Sequence, residues 1–225
     1  MQFFMLEEEP TTEPEHQIAS MDAVKAAGKN VGDARRSEAC GKYVGMCEWL
    51  PPYRVELETW GRVFGDVAVC GSDLLVSSRF KQAWEQSQLH GLSGFSAVEI
   101  VKVIRRRKST GAPLKYFRAV VSRGRTAIDL AASGFEWGSA PTCPACRLGH
   151  IIKRWKRILI DQATWNGDDI FIARGLPSTI IVSERFKEFC KLNDVKNAHL
   201  IPADTFARDY YPWEHDASPS RSSES

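Results

Sequence analysis

"LLVSSRFK", residues 74–81, returns almost unchanged as "IIVSERFK" at residues 180–187, 106 positions later. From Val76 to Lys81 only Ser78 against Glu184 differs. Each copy is an apolar run, then a serine, then apolar residues at helical spacing. That pattern predicts a β-strand, a helix N-cap and an amphipathic helix. Phe80, Ala83 and Trp84 mark the apolar face of the first helix, and Phe186, Phe189 and Cys190 that of the second. Ser77 is the expected cap of the first helix and Gly91 its expected end. The same spacing carries Cys143 and Cys146 back to Ser37 and Cys40, while Thr59-Trp60 faces Thr164-Trp165 at a spacing of 105. Knuckle, Thr-Trp, strand and helix therefore recur in one order, which points to an internal duplication.

The expected fold is α+β, in two related halves, each a Cys knuckle followed by β-strands and one α-helix. On this reading residues 1–36 are an N-terminal strand and loop, with at most a short helix near "IASMDAVKAAG". Residues 37–104 form the first half, 105–142 connecting strands, 143–208 the second half, and 209–225 a tail disordered from Ala217 onward. "MQFFML", "YRVELE", "DVAVC", "DLLVS", "FSAVEIVKVI", "YFRAVV", "IIKRWKRILI", "DIFIA" and "TIIVS" read as strands.

Composition narrows the function classes. With 43% hydrophobic and 26% charged residues the chain is ordinary for a globular protein, and its net charge of +2 argues against a dedicated polyanion binder. No apolar run approaches the length of a membrane span, and "MQFFMLEEE" lacks the basic start of a secretory signal. A cytoplasmic location is expected, where the 6 cysteines stay reduced and serve as metal ligands or buried thiols.

"TCPACRLGH", residues 142–150, holds the clearest chemistry. Cys143 and Cys146 have the spacing of half a tetrahedral zinc site, and Cys40 supplies a third thiol if the halves pack together. Ser37 is a poor fourth ligand because a hydroxyl does not give up its proton as a thiol does; Cys47 or His150 could replace it. A metal-free relic and a redox pair are the alternatives. The redox reading lacks the helix start that lowers a thiol pKa, since Pro141 and Gly149 point to a loop. Cys70 and Cys190 fall on apolar faces as core residues.

The basic strand "IIKRWKRILI" and "RRRK" at 105–108 invite a zinc-ribbon-like adaptor or nucleic-acid-binding reading. Strand alternation divides that charge, placing Lys153, Trp155 and Arg157 on one face and Arg154 and Lys156 on the other. The five histidines, 16, 90, 150, 199 and 215, have no nucleophile motif beside them, and no phosphate-cradling Gly loop or His-Glu-x-x-His appears. The sequence does not read as an enzyme.

With a first knuckle before "WLPPYRVELETWG", a second in "GFEW…TCPACRLG", and "DIFIARGLPSTIIVSERFKEFC", the chain resembles the myxobacterial double-CXXCG paralogous proteins from about residue 35 to 203. It departs from their motif at Ser37, where a Cys is expected, and at Arg147, where a Gly is expected. The resemblance implies an immunity protein of a polymorphic or contact-delivered toxin system, whose partner is a cognate toxin. Such a protein works through a surface, and Trp137, Trp155, Tyr210, Tyr211 and Trp213 are the candidate aromatic anchors. The acidic residues Glu7, Glu8, Glu9, Glu13 and Glu15 form a solvated loop or meet a basic toxin face.

Overall fold

The computed structural model describes residues 1–8, 21–25, 30–59, 64–106, 113 and 115–214, with 21–25 described by their backbone. In chain order the elements are β1 (Phe3–Glu7), β2 (Met21–Lys25), β3 (Asn30–Arg36), β4 (Tyr43–Leu50), β5 (Arg54–Thr59), β6 (Val67–Cys70) and β7 (Asp73–Ser77). Then come α1 (Ser78–Gln86), β8 (Leu92–Ala97), β9 (Glu99–Arg105), β10 (Tyr116–Ala127), α2 (Leu130–Ser133), β11 (Glu136–Ser139) and β12 (His150–Trp155). The chain continues through β13 (Ile170–Arg174), β14 (Ile181–Ser183), α3 (Glu184–Leu192), β15 (His199–Pro202) and β16 (Arg208–Asp209). Among the described residues the class is α+β, mostly β with three α-helices.

An eight-stranded sheet runs β15-β1-β14-β13-β10-β7-β6, with β8 also paired to β10. Its strands carry near-continuous apolar runs because both faces are covered. On one face Phe4, Leu6, Val76, Ile170 and Val182 pack under α1 and α3. On the other, Phe3, Met5, Phe171 and Ile181 meet Trp155, while Leu75 and Ala68 meet Trp49, Val55 and Leu57. Smaller sheets, β2-β5-β9, β11-β12-β16 and the hairpin β3-β4, lie beyond.

The two helices interleave their aromatic rings. Phe80 and Phe186 are both buried, 6.3 Å apart between centroids, and Trp84 lies 5.9 Å from Phe189. Their N-termini are built alike. Ser77 accepts from the amide of Phe80 and Ser183 from that of Phe186. The Ser77 hydroxyl donates to Asp66, which is also bound by Arg79 and by the backbone N–H of Lys196, beyond the other helix. The Ser183 hydroxyl likewise donates to Asp169, which is bound by Arg185 and by the backbone N–H of His90, beyond the first helix. Each arginine also reaches across, Arg79 to the carbonyls of Asn193 and Asp194, Arg185 to that of Gln88. Two crossed carboxylate clasps thus fasten each helix start to the segment following the other helix.

Several expectations need correction. Gly91 does not end α1; Ser87 does, its backbone N–H and hydroxyl both donating to the carbonyl of Trp84. Gly91 instead sits at φ +113, where any Cβ would overlap the backbone of Ile170. "FSAVEIVKVI" is not one strand: at Val98 the chain leaves β10 and enters β9 beside β5. "IIKRWKRILI" stops as a strand at Trp155, because the amides of Lys156 and Arg157 turn to the carbonyl of Ser133. The stretch given a short helix holds β2 at its centre. Glu9, Glu13, Glu15, Trp60, Arg107, Lys108 and the tail from Ala217 lie outside the described residues. No helix among the described residues is long and apolar enough to cross a membrane.

Candidate metal centre and binding surface

Each knuckle tops a β-hairpin. The first closes β3 to β4: Ser37 donates its N–H to Lys42, and its carbonyl accepts from Gly41 at 2.8 Å. The second lies between β11 and β12, where the carbonyl of Cys143 accepts from Arg147 at 3.0 Å. Gly41 and Arg147 both adopt the left-handed conformation, at φ 70 and 56. A side chain is strained there. At Arg147 it is put to use, donating to the carbonyl of Ile128 at 2.8 Å and to Asp161 at 2.6 Å. Arg147 therefore anchors the second knuckle to the body of the protein. Arg147 in turn holds the Asp161 carboxyl below the usual carboxylate range.

The two knuckles meet. The sulfurs of Cys40, Cys143 and Cys146 all lie within 4.8 Å of one another, with Cys40 and Cys146 at 3.7 Å. Tetrahedral zinc with bonds of about 2.3 Å sets sulfurs about 3.8 Å apart, so this triad has the right dimensions. Cys143 and Cys146 are buried against Leu148, Val44 and Trp137, while Cys40 is exposed. A hydrogen bond from the side chain of Ser37, then one from the backbone of Lys42, lowers the Cys40 thiol to about 7. Burial acts oppositely on Cys146 and raises it. Lys42 also bridges the knuckles, donating to Thr142 at 3.3 Å.

Neither Cys47 nor His150 joins the triad; both are exposed, on β4 and at the start of β12. Cys190 is a core residue as expected, its thiol pushed up to about 12 by burial. The side chain of Cys70 lies outside the described residues.

The aromatic candidates separate. Trp155 is only 4% exposed, and its indole N–H donates to the carbonyl of Phe206, so the expectation of an exposed anchor there is corrected: it fills the core. Trp137 is half-buried between the triad and Phe135. Tyr210 and Trp213 are exposed, and Tyr211 packs 5.3 Å from Trp213 with Lys153 over its ring. The basic residues of β12 do not form a free stripe, since Arg154 pairs with Glu136 at 3.3 Å. A second surface was not anticipated from the sequence. It is a groove of about 730 Å³ between the knuckles and the β10–β13 part of the main sheet. Arg35, Arg36, Arg123 and Arg174 line it, and their scattered sequence positions give no signal.

Two cysteine-bearing hairpins clamped onto a doubly covered sheet define a small α+β protein whose notable features are a metal-sized thiol cluster and open surfaces. The family comparison gives this class its role: the model of the immunity protein family Imm11 matches residues 14–205, and the chain belongs to that family. It is accordingly an immunity protein, of a kind that neutralises a toxin and is typically non-enzymatic. Comparison with curated proteins returns no match.

Proposed function

We propose that the chain binds its cognate toxin in the cytoplasm and neutralises it by occlusion, on a scaffold stapled by one structural zinc. The family match carries the neutralisation reading. Occlusion is favoured because the molecule offers open surfaces, a groove at the knuckles and the aromatic group of Tyr210, Tyr211 and Trp213, with Trp137 at the edge of the triad. The spacing of Cys40, Cys143 and Cys146 supports zinc held by three thiols, with the Ser37 side chain hydrogen-bonded to Cys40. Thiolate-rich zinc sites of this kind characteristically hold structure.

We further infer that the chain is a double-CXXCG type member, built from two related halves, 37–104 and 143–208. In support, Ser77, Arg79, Gly91, Trp49 and Cys40 correspond at one spacing of 106 to Ser183, Arg185, Asn197, Trp155 and Cys146. The corresponding residues do the same work. Gly91 and Asn197 both have positive φ, and Trp49 and Trp155 are both buried.

The test is co-expression with the toxin encoded beside this gene. The chain should rescue growth and co-purify with the toxin, and metal analysis should give near one zinc per chain, absent from Cys143→Ala. A chain that rescues without binding the toxin would defeat occlusion. Purified protein without zinc that still protects would defeat the metal reading.

A further inference from the structure

The groove between the knuckles and the main sheet has an unbalanced lining. Four arginines, Arg35, Arg36, Arg123 and Arg174, face only two acids, Glu38 and Glu48. The ion pair between Arg35 and Glu48 is loose, at 3.9 Å, with both side chains about half exposed. Arg123 gives one N–H to the carbonyl of Ser72, and Arg174 one to that of Ala145. Backbone carbonyls hold these guanidinium groups in place without cancelling their charge. The Nε of Arg174 is buried and meets no hydrogen-bond partner among the described residues. Burial and the nearby Arg35 both pull Arg123 below its ordinary pKa, as expected where like charges crowd. The walls between the arginines are apolar, with Leu148 on the knuckle side and Ile172 on the sheet side.

We propose that this groove is the docking site for an acidic segment of the cognate toxin, whose carboxylates pair with the arginines while an apolar side chain enters between Leu148 and Ile172. This deepens the proposed function and rests on it. Arginine forks suit carboxylates because two parallel N–H groups can bind one carboxylate. Groove anatomy favours a protein segment over a small anion. A small anion is usually held in an enclosed site that buries most of its surface, whereas this groove is partly open to solvent and part apolar. Opposed charge also speeds encounter, which suits a protein that must intercept a toxin promptly.

The test uses the full chain and the purified toxin domain encoded beside its gene, with binding followed by interferometry at low and moderate salt. Arg35→Glu should weaken binding by at least about tenfold, Arg35→Lys by much less, and Glu48→Gln should tighten it, since that change removes the competing acid. Arg54→Glu, remote from the groove on β5, should leave binding within about twofold and serves as the control for net charge. Wild-type affinity should fall as salt rises. Circular dichroism of Arg35→Glu shows whether it is folded, and Glu48→Gln reads the same site with the opposite sign. Equal binding by Arg35→Glu and wild type, or equal losses in Arg35→Glu and Arg54→Glu, would overturn the groove while leaving neutralisation intact. Saturable binding of ATP by wild type but not by Arg35→Glu, with toxin binding unchanged, would make it a small-polyanion site and also overturn the proposal. No binding of toxin by wild type would instead defeat the occlusion reading on which it rests.

Discussion

Replacing Asp169 with alanine tests the crossed clasps directly. Its carboxylate, 1% exposed, accepts from the Ser183 hydroxyl at 2.7 Å, the His90 amide at 3.0 Å and Arg185 at 3.2 Å. Arg185 is about half exposed and water can replace its partner, so that contact contributes little. The Ser183 hydroxyl is fully buried and the His90 amide partly so; each loses an acceptor at about 1–3 kcal/mol. Removing the carboxylate also relieves its own desolvation. The net loss should be about 2–4 kcal/mol, a fall in Tm of roughly 5–15 °C for a chain of this size. Asp66→Ala should lose a similar amount, since Asp66 holds Ser77, Arg79 and the Lys196 amide in the same way. Urea unfolding followed by circular dichroism measures both, and an unchanged m-value shows that the reference states are preserved. A loss below about 1 kcal/mol in either variant would mean that the clasp is merely tolerated, since that is what a single ordinary hydrogen bond contributes.

Phe80→Ala and Phe186→Ala should each cost about 3–5 kcal/mol by the same measurement, because each empties a fully packed position between α1 and α3. A cost near zero for one of them would show that only one helix belongs to the cooperative core. Asp161→Asn should loosen the second knuckle by removing the partner of Arg147. The folded-state pKa of Asp161 lies below its unfolded value, so the pair stabilises above the ordinary carboxylate range and is lost as pH falls through the folded pKa. The stability gap between wild type and Asp161→Asn should therefore be full at neutral pH and close as the pH drops below about 4. A gap that stays constant down to that pH would show that the ion pair is not its source.

Regular, repeated features were the legible ones. The two strand–Ser–helix units could be read because a capping serine and a 3.6-residue apolar period are local signals, and both helices begin where those signals place them. The thiol cluster could be read because Cys143 and Cys146 have CxxC spacing and Cys40 stands 106 residues before Cys146. Strands β3, β4 and β11 were not legible, although β12 was read within "IIKRWKRILI". These three strands expose much of both faces, so no alternation of polar and apolar residues marks them, and "NVGDARR" carries almost no β pattern. The clasps escaped for another reason. Asp66 and Asp169 stand before short strands and look like turn residues, and their partners Lys196 and His90 lie far along the chain. The burial of Trp155 was hidden by the charges around it, since neighbours in a strand point to opposite faces and Arg154 and Lys156 say little about where the indole goes.

On the proposed reading, the knuckles would link metal and partner. Ser37, Ala145, Cys146 and Leu148 belong to the two knuckles and also wall the groove, so whatever holds the sulfurs together fixes the groove's width. If zinc is that agent, removing it should weaken toxin binding by separating the knuckle side from the sheet side, without touching any arginine. Thermodynamic reciprocity then requires bound toxin to tighten zinc by the same factor by which zinc tightens toxin. Both factors are measurable: toxin affinity with and without chelator, and zinc affinity by competition with a chromophoric chelator with and without toxin. Coupling of this kind is typically about 5–150-fold. Equal factors above unity would place the metal in the binding mechanism. Toxin affinity indifferent to chelation, in protein shown to have lost its zinc, would restrict the metal to folding, and the groove would have to be held open by Lys42, Arg147 and Arg174 alone.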